Sequence, residues 1–339
     1  PDENVEHLLK FPLRNPNDPS TEITVRMLAS HTSSLRDGKI YSVPPDVSIE
    51  ECFEPEGRYW EDGAHFAPAD EPIGKHFAYC NLNYGLLGTI VERVTCVRFD
   101  RYQKENILAQ LDIEADYVPA NFDRDQFELL GSIYRKSDPR GVWSATRDAY
   151  DTQPINDMLD LQNAYSDRDA GLYDLKNYRA GTNATIFSPQ GGLRISFEEL
   201  SHALEMMICG GRYRGRRVLS DRSLDQMIES NWIYDPTLGN GDNYGGAMNN
   251  YGLGLYRIGR GTARVSMERE IDLIGHTGAA FGMLSGMFFE RSTGDGLIYM
   301  INGLALDEDN DPRAQGRFSA NYIWEEKLFH IFFRIKSRK

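Results

Sequence analysis

The chain has 339 residues, 40% of them hydrophobic and 26% charged, with a formal net charge of -14. That is the profile of an ordinary globular protein, long enough for one large domain or for two lobes. The acidic balance and the lack of a basic stripe exclude a phosphate-backbone partner, since nothing offers counterion release, and the simplest consequence of the charge is solubility. No apolar run approaches the ~18 residues of a membrane span. Pro1-Asp2-Glu3-Asn4 is not a signal peptide and the chain has no initiator methionine, so it is expected to begin inside a longer precursor. Four cysteines, Cys52, Cys80, Cys96 and Cys209, are too few for a disulfide scaffold and fit no zinc spacing. They are expected to be buried or half-buried thiols, with one bridge compatible with export.

Residues 1–22 read as loop, because Pro12, Pro16 and Pro19 break any helix. Thr24 caps a helix reaching about Thr32, with Ile23 and Leu28 placed for a hydrophobic staple. Residues 38–76, rich in proline, glycine and acids, read as a long irregular segment of the kind that is functional or wraps a lobe. Asn81 or Asn83 caps a helix from Tyr84 to about Val94, whose apolar face is Tyr84, Leu87, Val91 and Val94. A second helix covers roughly 99–110. The stretch 112–180 is polar, aromatic and irregular. Helices return at 196–209, with Ser196 and Glu199 as a capping box and Gly210-Gly211 as the stop, and at about 220–229. Beyond residue 245 the period shortens. Tyr251-Leu253-Leu255 alternates, and the apolar runs 283–289 and 297–301 flank the turn signal Arg291-Ser292-Thr293-Gly294-Asp295-Gly296. This predicts an antiparallel meander, covered on one face by a final amphipathic helix at about 316–335 carrying Tyr322, Ile323, Phe329 and Phe332.

Five segments in this order carry a resemblance. They are Ile23–Ser33 (ITVRMLASHTS, with Ser34 where glycine is usual), Phe77–Gly88 (FAYCNLNYGLLG), Ser188–Leu193 (SPQGGL), Tyr251–Leu255 (YGLGL) and Gly275–Gly278 (GHTG). Together they resemble the β-lactamase-related, penicillin-recognising serine hydrolases, which include class C β-lactamases, D,D-peptidases and esterases. The resemblance implies an α/β (α+β) fold: an antiparallel sheet flanked by helices, plus an all-helical lobe, with the site between the lobes. It places residues 23–235 in a mainly helical lobe, and residues 1–22 and 245–339 in a sheet lobe with a C-terminal helix. In the family two strands and a Ser-x-x-Lys helix precede the first segment, and that motif supplies the nucleophile. No serine of this chain has lysine three residues later. The N-terminal strands and the nucleophile segment are therefore expected to be missing here.

Acyl transfer by a serine needs a base, a positioned nucleophile and donors at the developing oxyanion. The resemblance makes Tyr79 the base or proton relay. Since an unperturbed tyrosine titrates near about 10, nearby positive charge must lower it, and the usual source is the motif's lysine. It makes Asn81 the amide that binds the acyl chain, His276 a catalytic residue that can donate to a substrate carboxylate or to the tyrosine, Thr277 a hydroxyl offered to the substrate, Gly278 the residue that lets substrate lie against the strand, and the Ala279 N–H one oxyanion donor. Plainer roles stand beside these: a packed ring for Tyr79, a helix cap for Asn81, and an edge strand without ligand for 276–279. Cys80 is expected to point away from the site. His276 stands where β-lactamases carry lysine, which weakens the case for penicillins because imidazole is no fixed cation.

The remaining histidines show no metal spacing, and His31 is expected to make a buried hydrogen bond. Asp37, Glu71 and Glu92 are expected to be solvated carboxylates. No cofactor or metal is expected. The expected partner is a small-molecule ester, amide or peptide substrate, with no nucleic acid. In the family the N-terminal strands pair with the last strand, here about 297–302, so that segment or another chain is expected at this edge. The alternative function is a non-catalytic protein that keeps the cleft for binding. The sequence does not give the compartment; the resemblance alone favours export to the periplasm.

Overall fold

The computed structural model describes residues 1–136, 142–147, 175, 178–259, 271–304, 315–317 and 319–336. The chain divides into two compact units, Pro1–Ser132 with Lys136–Ser196, and Ile133–Arg135 with Phe197–Lys339.

The first unit is helical. Its elements are α1 (Val5–Leu9), α2 (Val25–Ala29), α3 (Asn81–Thr95), α4 (Phe99–Asn106) and α5 (Arg124–Glu128). Residues 1–22, expected with the sheet, belong to this unit: the Val5 N–H donates to the Ile23 carbonyl at 3.0 Å and the Val25 N–H to the Glu3 carbonyl at 3.1 Å. They also hold a helix where loop was expected. Asn4 accepts the Glu6 N–H as its cap, and the helix ends at Lys10 in the left-handed region, before Pro12. Thr24 caps α2 as expected, accepting the Met27 N–H at 3.3 Å, and both staple residues, Ile23 and Leu28, are fully buried. Segment 38–76 is irregular apart from two single 3-10 turns, and its Val43, Ile49 and Cys52 pack into the core with Leu9, Leu28, Leu82 and Leu86. Each such side chain contributes roughly 1.5–3 kcal/mol of burial.

The buried face of α3 is not the predicted one. Leu82, Gly85, Leu86, Gly88, Thr89 and Glu92 are buried, whereas Val94 is exposed and Tyr84, Leu87 and Val91 are half-buried. The small residues decide this. A β-carbon on Gly88 would meet the Ala184 and Pro189 side chains, so the 3-10 turn Ala184–Phe187 and the residues after it approach the helix backbone closely.

Two short strands, β1 (Ile133–Lys136) and β2 (Trp143–Thr146), follow α5. The second unit contains α6 (Phe197–Ile208), the small hairpin β3 (Arg212–Tyr213) and β4 (Arg216–Arg217), α7 (Asp221–Ile228), a sheet, and α8 (Ile323–Lys336). The helices α6 and α7, expected with the helical lobe, fall with the sheet. The sheet is antiparallel throughout, in the order β10-β9-β8-β7-β6-β5. Its strands are β5 (Trp232–Ile233), β6 (Asn250–Tyr251), β7 (Tyr256–Gly259), β8 (Asp272–Ala280), β9 (Met283–Glu290) and β10 (Asp295–Asn302). The expected alternation across 251–255 stops at Tyr251, because the chain turns through Gly254 at φ 73° before β7. The meander of 283–289 and 297–301 stands as expected.

Helices cover both faces of β10. Successive residues alternate faces, so Tyr299 and Gly296 point opposite ways. Tyr299 and Phe288 meet Phe329 of α8 edge-on, and a β-carbon on Gly296 would meet Leu204 of α6. The C-terminal helix is thus the cover that was expected, although it begins at Ile323. Cys52 and Cys80 are buried, but Cys96 and Cys209 are exposed, so the expectation of four shielded thiols fails for those two. Cys96 is the left-handed C-cap of α3, at φ 58°, where the chain leaves the packed helix.

Candidate active site

The sequence-selected residues lie in two sets, one on each unit. Tyr79 and Asn81 flank Cys80 at the start of α3 in the first unit. The loop carrying His31 builds their support. His31 sits at φ 55° with its ring buried, and its Nδ1 accepts the Cys80 N–H at 3.1 Å and the Asn83 amide at 3.2 Å. An acceptor at Nδ1 puts the proton on Nε2, so the imidazole is neutral. The expected buried hydrogen bond is therefore present, in duplicate. The Tyr79 ring lies against the His31 ring, centroids 4.3 Å apart at a tilt of 32°. Ser33 bonds Asn83 at 2.7 Å, and the Ala78 N–H donates to the His31 carbonyl at 3.0 Å.

Asn81 is the first residue of α3 rather than its cap. The acceptor for the helix terminus comes from Asp37 instead. Its Oδ1 takes the Leu82 N–H at 2.8 Å and the Cys80 thiol at 3.3 Å, and its Oδ2 takes the Asn81 side-chain amide at 2.7 Å. Asp37 is therefore not a merely solvated carboxylate, and sequence reasoning passed it over because nothing local couples position 37 to position 81. The Asn81 Oδ1 has no hydrogen-bond partner among the described residues, and the side chain is half-buried. Cys80 is fully buried as expected, and burial pushes its thiol well above the ordinary value, with the Asp37 charge adding to the shift.

The other two carboxylates also differ from expectation. Glu71 is paired with Arg36 and lies 3.4 Å from His76. Glu92 is fully buried and accepts the Tyr178 hydroxyl at 2.6 Å, the Gly181 N–H at 2.7 Å and the Phe99 N–H at 2.8 Å. Burial raises its pKa against the pull of those donors.

In the second unit His276, Thr277, Gly278 and Ala279 are consecutive on β8. The register with β7 ends at Tyr256–Gly275, while the register with β9 continues to Ala280–Met283. Among the described residues, β8 therefore pairs beyond Gly275 with β9 alone. The hairpin to β9 turns through Phe281 at φ 50° and Gly282 at φ 73°, the two positive angles of a type I′ turn. Such a turn closes on a hydrogen-bonded pair, here Ala280–Met283, and bonded and non-bonded pairs alternate along an antiparallel ladder. Thr277 and Ala279 fall on the non-bonded rungs, so their backbone N–H groups point to the edge away from β9. A β-carbon on Gly278 would meet the Ser285 hydroxyl at 2.6 Å, so glycine here accommodates the neighbouring strand.

His276 is half-buried, and both its ring nitrogens have partners. Nδ1 lies 2.5 Å from the Thr277 carbonyl, and Nε2 lies 3.1 Å from the Tyr251 hydroxyl. A carbonyl only accepts, so Nδ1 carries the proton and Nε2 accepts from Tyr251. Burial holds the His276 pKa below its ordinary value, and the Thr277 carbonyl partly offsets this. Thr277 Oγ1 accepts the Tyr256 hydroxyl at 3.1 Å. The two tyrosines were not singled out as site residues; the spacing of YGLGL, which puts them beside the His-Thr pair, was the available signal. Among the described residues no group of three or more His, Cys, Asp or Glu side chains is placed to hold a metal ion, and no helix is long and apolar enough to cross a membrane.

The mixed helical and antiparallel architecture, with the Gly-His-Thr-Gly motif on an inner strand of the sheet, is the β-lactamase/transpeptidase-like fold. The chain belongs to the Beta-lactamase family, whose model matches residues 1–322. In sequence it is similar to Protein flp of Staphylococcus aureus (strain NCTC 8325 / PS 47), 27% identical over 162 residues, a match covering 45% of this chain but 30% of that protein. In structure it is similar to the octameric penicillin-binding protein homologue from Pyrococcus abyssi, with a TM-score of 0.54 and 20% identity, covering 89% of this chain and 56% of that one. It is also similar to the D-amino acid amidase from Ochrobactrum anthropi SV3, with a TM-score of 0.58 and 18% identity over 100% of this chain and 78% of that one. A class C β-lactamase in complex with cefoxitin gives a TM-score of 0.55 at 14% identity, over 91% and 73% of the two chains. At these identities the structural likenesses speak for the fold alone.

Proposed function

We propose that this chain is part of a serine hydrolase that cleaves an ester or amide through an acyl-serine. The substrate is a small molecule or peptide; a β-lactam or a D-amino-acid peptide belongs to that class. The nucleophile and its lysine would lie on a Ser-x-x-Lys segment outside these 339 residues, none of whose serines has that spacing. The observation that carries the proposal is the edge of β8 beyond Gly275, where the alternation of the ladder turns the Thr277 and Ala279 N–H groups outward. An outward N–H is what a developing oxyanion requires. In this reading Ala279 supplies that donor, Thr277 and Gly278 align the acyl group, the Asn81 Oδ1 accepts from an N–H of the acyl chain, Tyr79 moves the proton of the serine, and His276 shapes the strand. The outer edge of β10, which among the described residues pairs with β9 alone, would take the upstream segment or another chain.

The test is to express the chain with its native upstream sequence and treat it with a fluorophosphonate. Labelling that is lost on changing the upstream serine, and slowed ~10²–10⁴-fold in Tyr79→Phe, is expected. No labelling of a protein that contains an upstream Ser-x-x-Lys rejects catalysis. It would favour the second reading, a non-catalytic protein that keeps these groups for binding.

A further inference from the structure

Tyr251 and Tyr256 face each other directly across the β6–β7 hairpin, and their rings stack at 6.4 Å and 19°. Both are almost completely buried, and each spends its hydroxyl on a neighbouring residue of β8: Tyr251 on His276, Tyr256 on Thr277. These bonds fix where protons stand. A threonine hydroxyl has one proton and two lone pairs. Since Thr277 Oγ1 accepts from Tyr256, its own proton is left for another acceptor, and no such acceptor exists among the described residues. His276 is in the opposite condition. Its Nδ1 proton is committed to the Thr277 carbonyl and its Nε2 lone pair to Tyr251, so the ring presents neither a charge nor an N–H to a ligand. On the neighbouring strand the Arg257 guanidinium is held in two bonds by Asp272, at 2.7 and 3.0 Å.

We propose that Tyr251 and Tyr256 are positioning residues that narrow this substrate class: they set the β8 edge to accept esters or amides that are uncharged there and to discriminate against members, such as a β-lactam, that bring a carboxylate to it. A neutral acyl oxygen needs one or two donors, which the Thr277 hydroxyl and the outward N–H groups supply. A carboxylate needs a cation or several N–H groups to replace its water. The ligand class rests on the acyl-transfer reading above; the proton placement does not.

Three measurements separate these. Long-range ¹H–¹⁵N spectra of the imidazoles in the 339-residue chain are expected to show His276 as the Nδ1–H tautomer, and a mixture of both tautomers in Tyr251→Phe. A wild-type Nε2–H tautomer, or a Tyr251→Phe spectrum identical to wild type, overturns the proton placement. In the protein carrying its upstream segment, dimethyl succinate is expected to be hydrolysed with a higher kcat/KM than monomethyl succinate. That ratio is expected to narrow about fivefold in Tyr251→Phe, the value of roughly one hydrogen bond. An unchanged ratio, or a wild-type preference for the monoester, overturns the assignment of the ligand. Turnover of neither ester rejects the acyl-transfer reading instead. The ligand class is then decided on the same chain by the Thr277 amide resonance, which is expected to shift with dimethyl succinate and not with succinate; the reverse order overturns it.

Discussion

The carboxylate of Asp37 lies 2.7 Å from the side-chain amide nitrogen of Asn81. The same carboxylate takes the Leu82 N–H at 2.8 Å, so one side chain from a distant loop both caps α3 and orients the amide at its first position. A negative charge at a helix N-terminus also meets the positive end of the dipole. In Asp37→Ala three donors, from Cys80, Asn81 and Leu82, lose their acceptor. We expect a loss of ~1–3 kcal/mol, since unsatisfied buried donors carry the full desolvation penalty. Amide exchange in the first turns of α3 should accelerate accordingly, by roughly tenfold per 1.4 kcal/mol. Asp37→Asn keeps one acceptor and should lose less. Unchanged exchange in the alanine variant would remove Asp37 from this role.

How much of this was legible in the sequence depends on how far apart the partners are. The α2 cap at Thr24, the sheet hairpins and the covering helix with Phe329 follow from local period and turn chemistry, and the structure has them. The stretch of 112–180 is outside the described residues from 137 to 141 and for most of 148 to 177. Misreadings came where partners are distant. Apolar count favoured the Tyr84–Val94 stripe of α3, whereas Gly85, Gly88 and Thr89 mark the packed face because smallness, not hydrophobicity, lets Ala184 and Pro189 approach. Glu92 lies on that face, and its burial depends on donors seven to 89 residues away in the chain. The site motifs were readable as a set, but the tyrosine bonds that fix the protons on His276 and Thr277 need the register of β6 to β8.

Glu92 gives a pH signature. Burial raises its folded pKa above the ordinary carboxylate value of about 4.5. Between those two values the folded state holds more proton than the unfolded chain, so stability falls as pH rises through the window. Glu92→Gln cannot titrate. The difference in unfolding free energy between wild type and variant should therefore shrink from about pH 4 upward and level off once Glu92 ionises in the folded state. Glu325, which burial raises as well, is common to both proteins and cancels. Parallel pH curves would show that Glu92 does not carry this shift.

Gly286 is a packing position rather than a turn. A β-carbon there would overlap the Tyr299 ring, whose hydroxyl bonds the buried Glu325 at 2.5 Å. Gly286→Ala should cost ~1–3 kcal/mol by overpacking. Tyr299→Leu vacates the space but strands Glu325. The double variant should therefore cost less than the sum of the singles, with a coupling of ~0.5–3 kcal/mol measured by urea unfolding. Strict additivity would mean that the β9–β10 pair does not clash as the geometry requires.

His276 should act with the opposite sign to Glu92. Burial holds its folded pKa below the ordinary value of about 6.5. As pH falls below that value the unfolded chain takes up a proton that the folded ring refuses, so stability is lost until the folded value is reached. The wild-type curve superposes this loss on the Glu92 effect, and only variants separate them. His276→Gln should abolish the acid-side loss. Tyr251→Phe should lessen it, because the hydroxyl at 3.1 Å stabilises the neutral ring and its removal lets the folded pKa rise toward the ordinary value. Titration of the His276 ring protons by NMR reads both directly. A wild-type ring that titrates at or above the ordinary value, or a Tyr251→Phe ring that titrates lower than wild type, would contradict a buried neutral imidazole held by its Tyr251 bond.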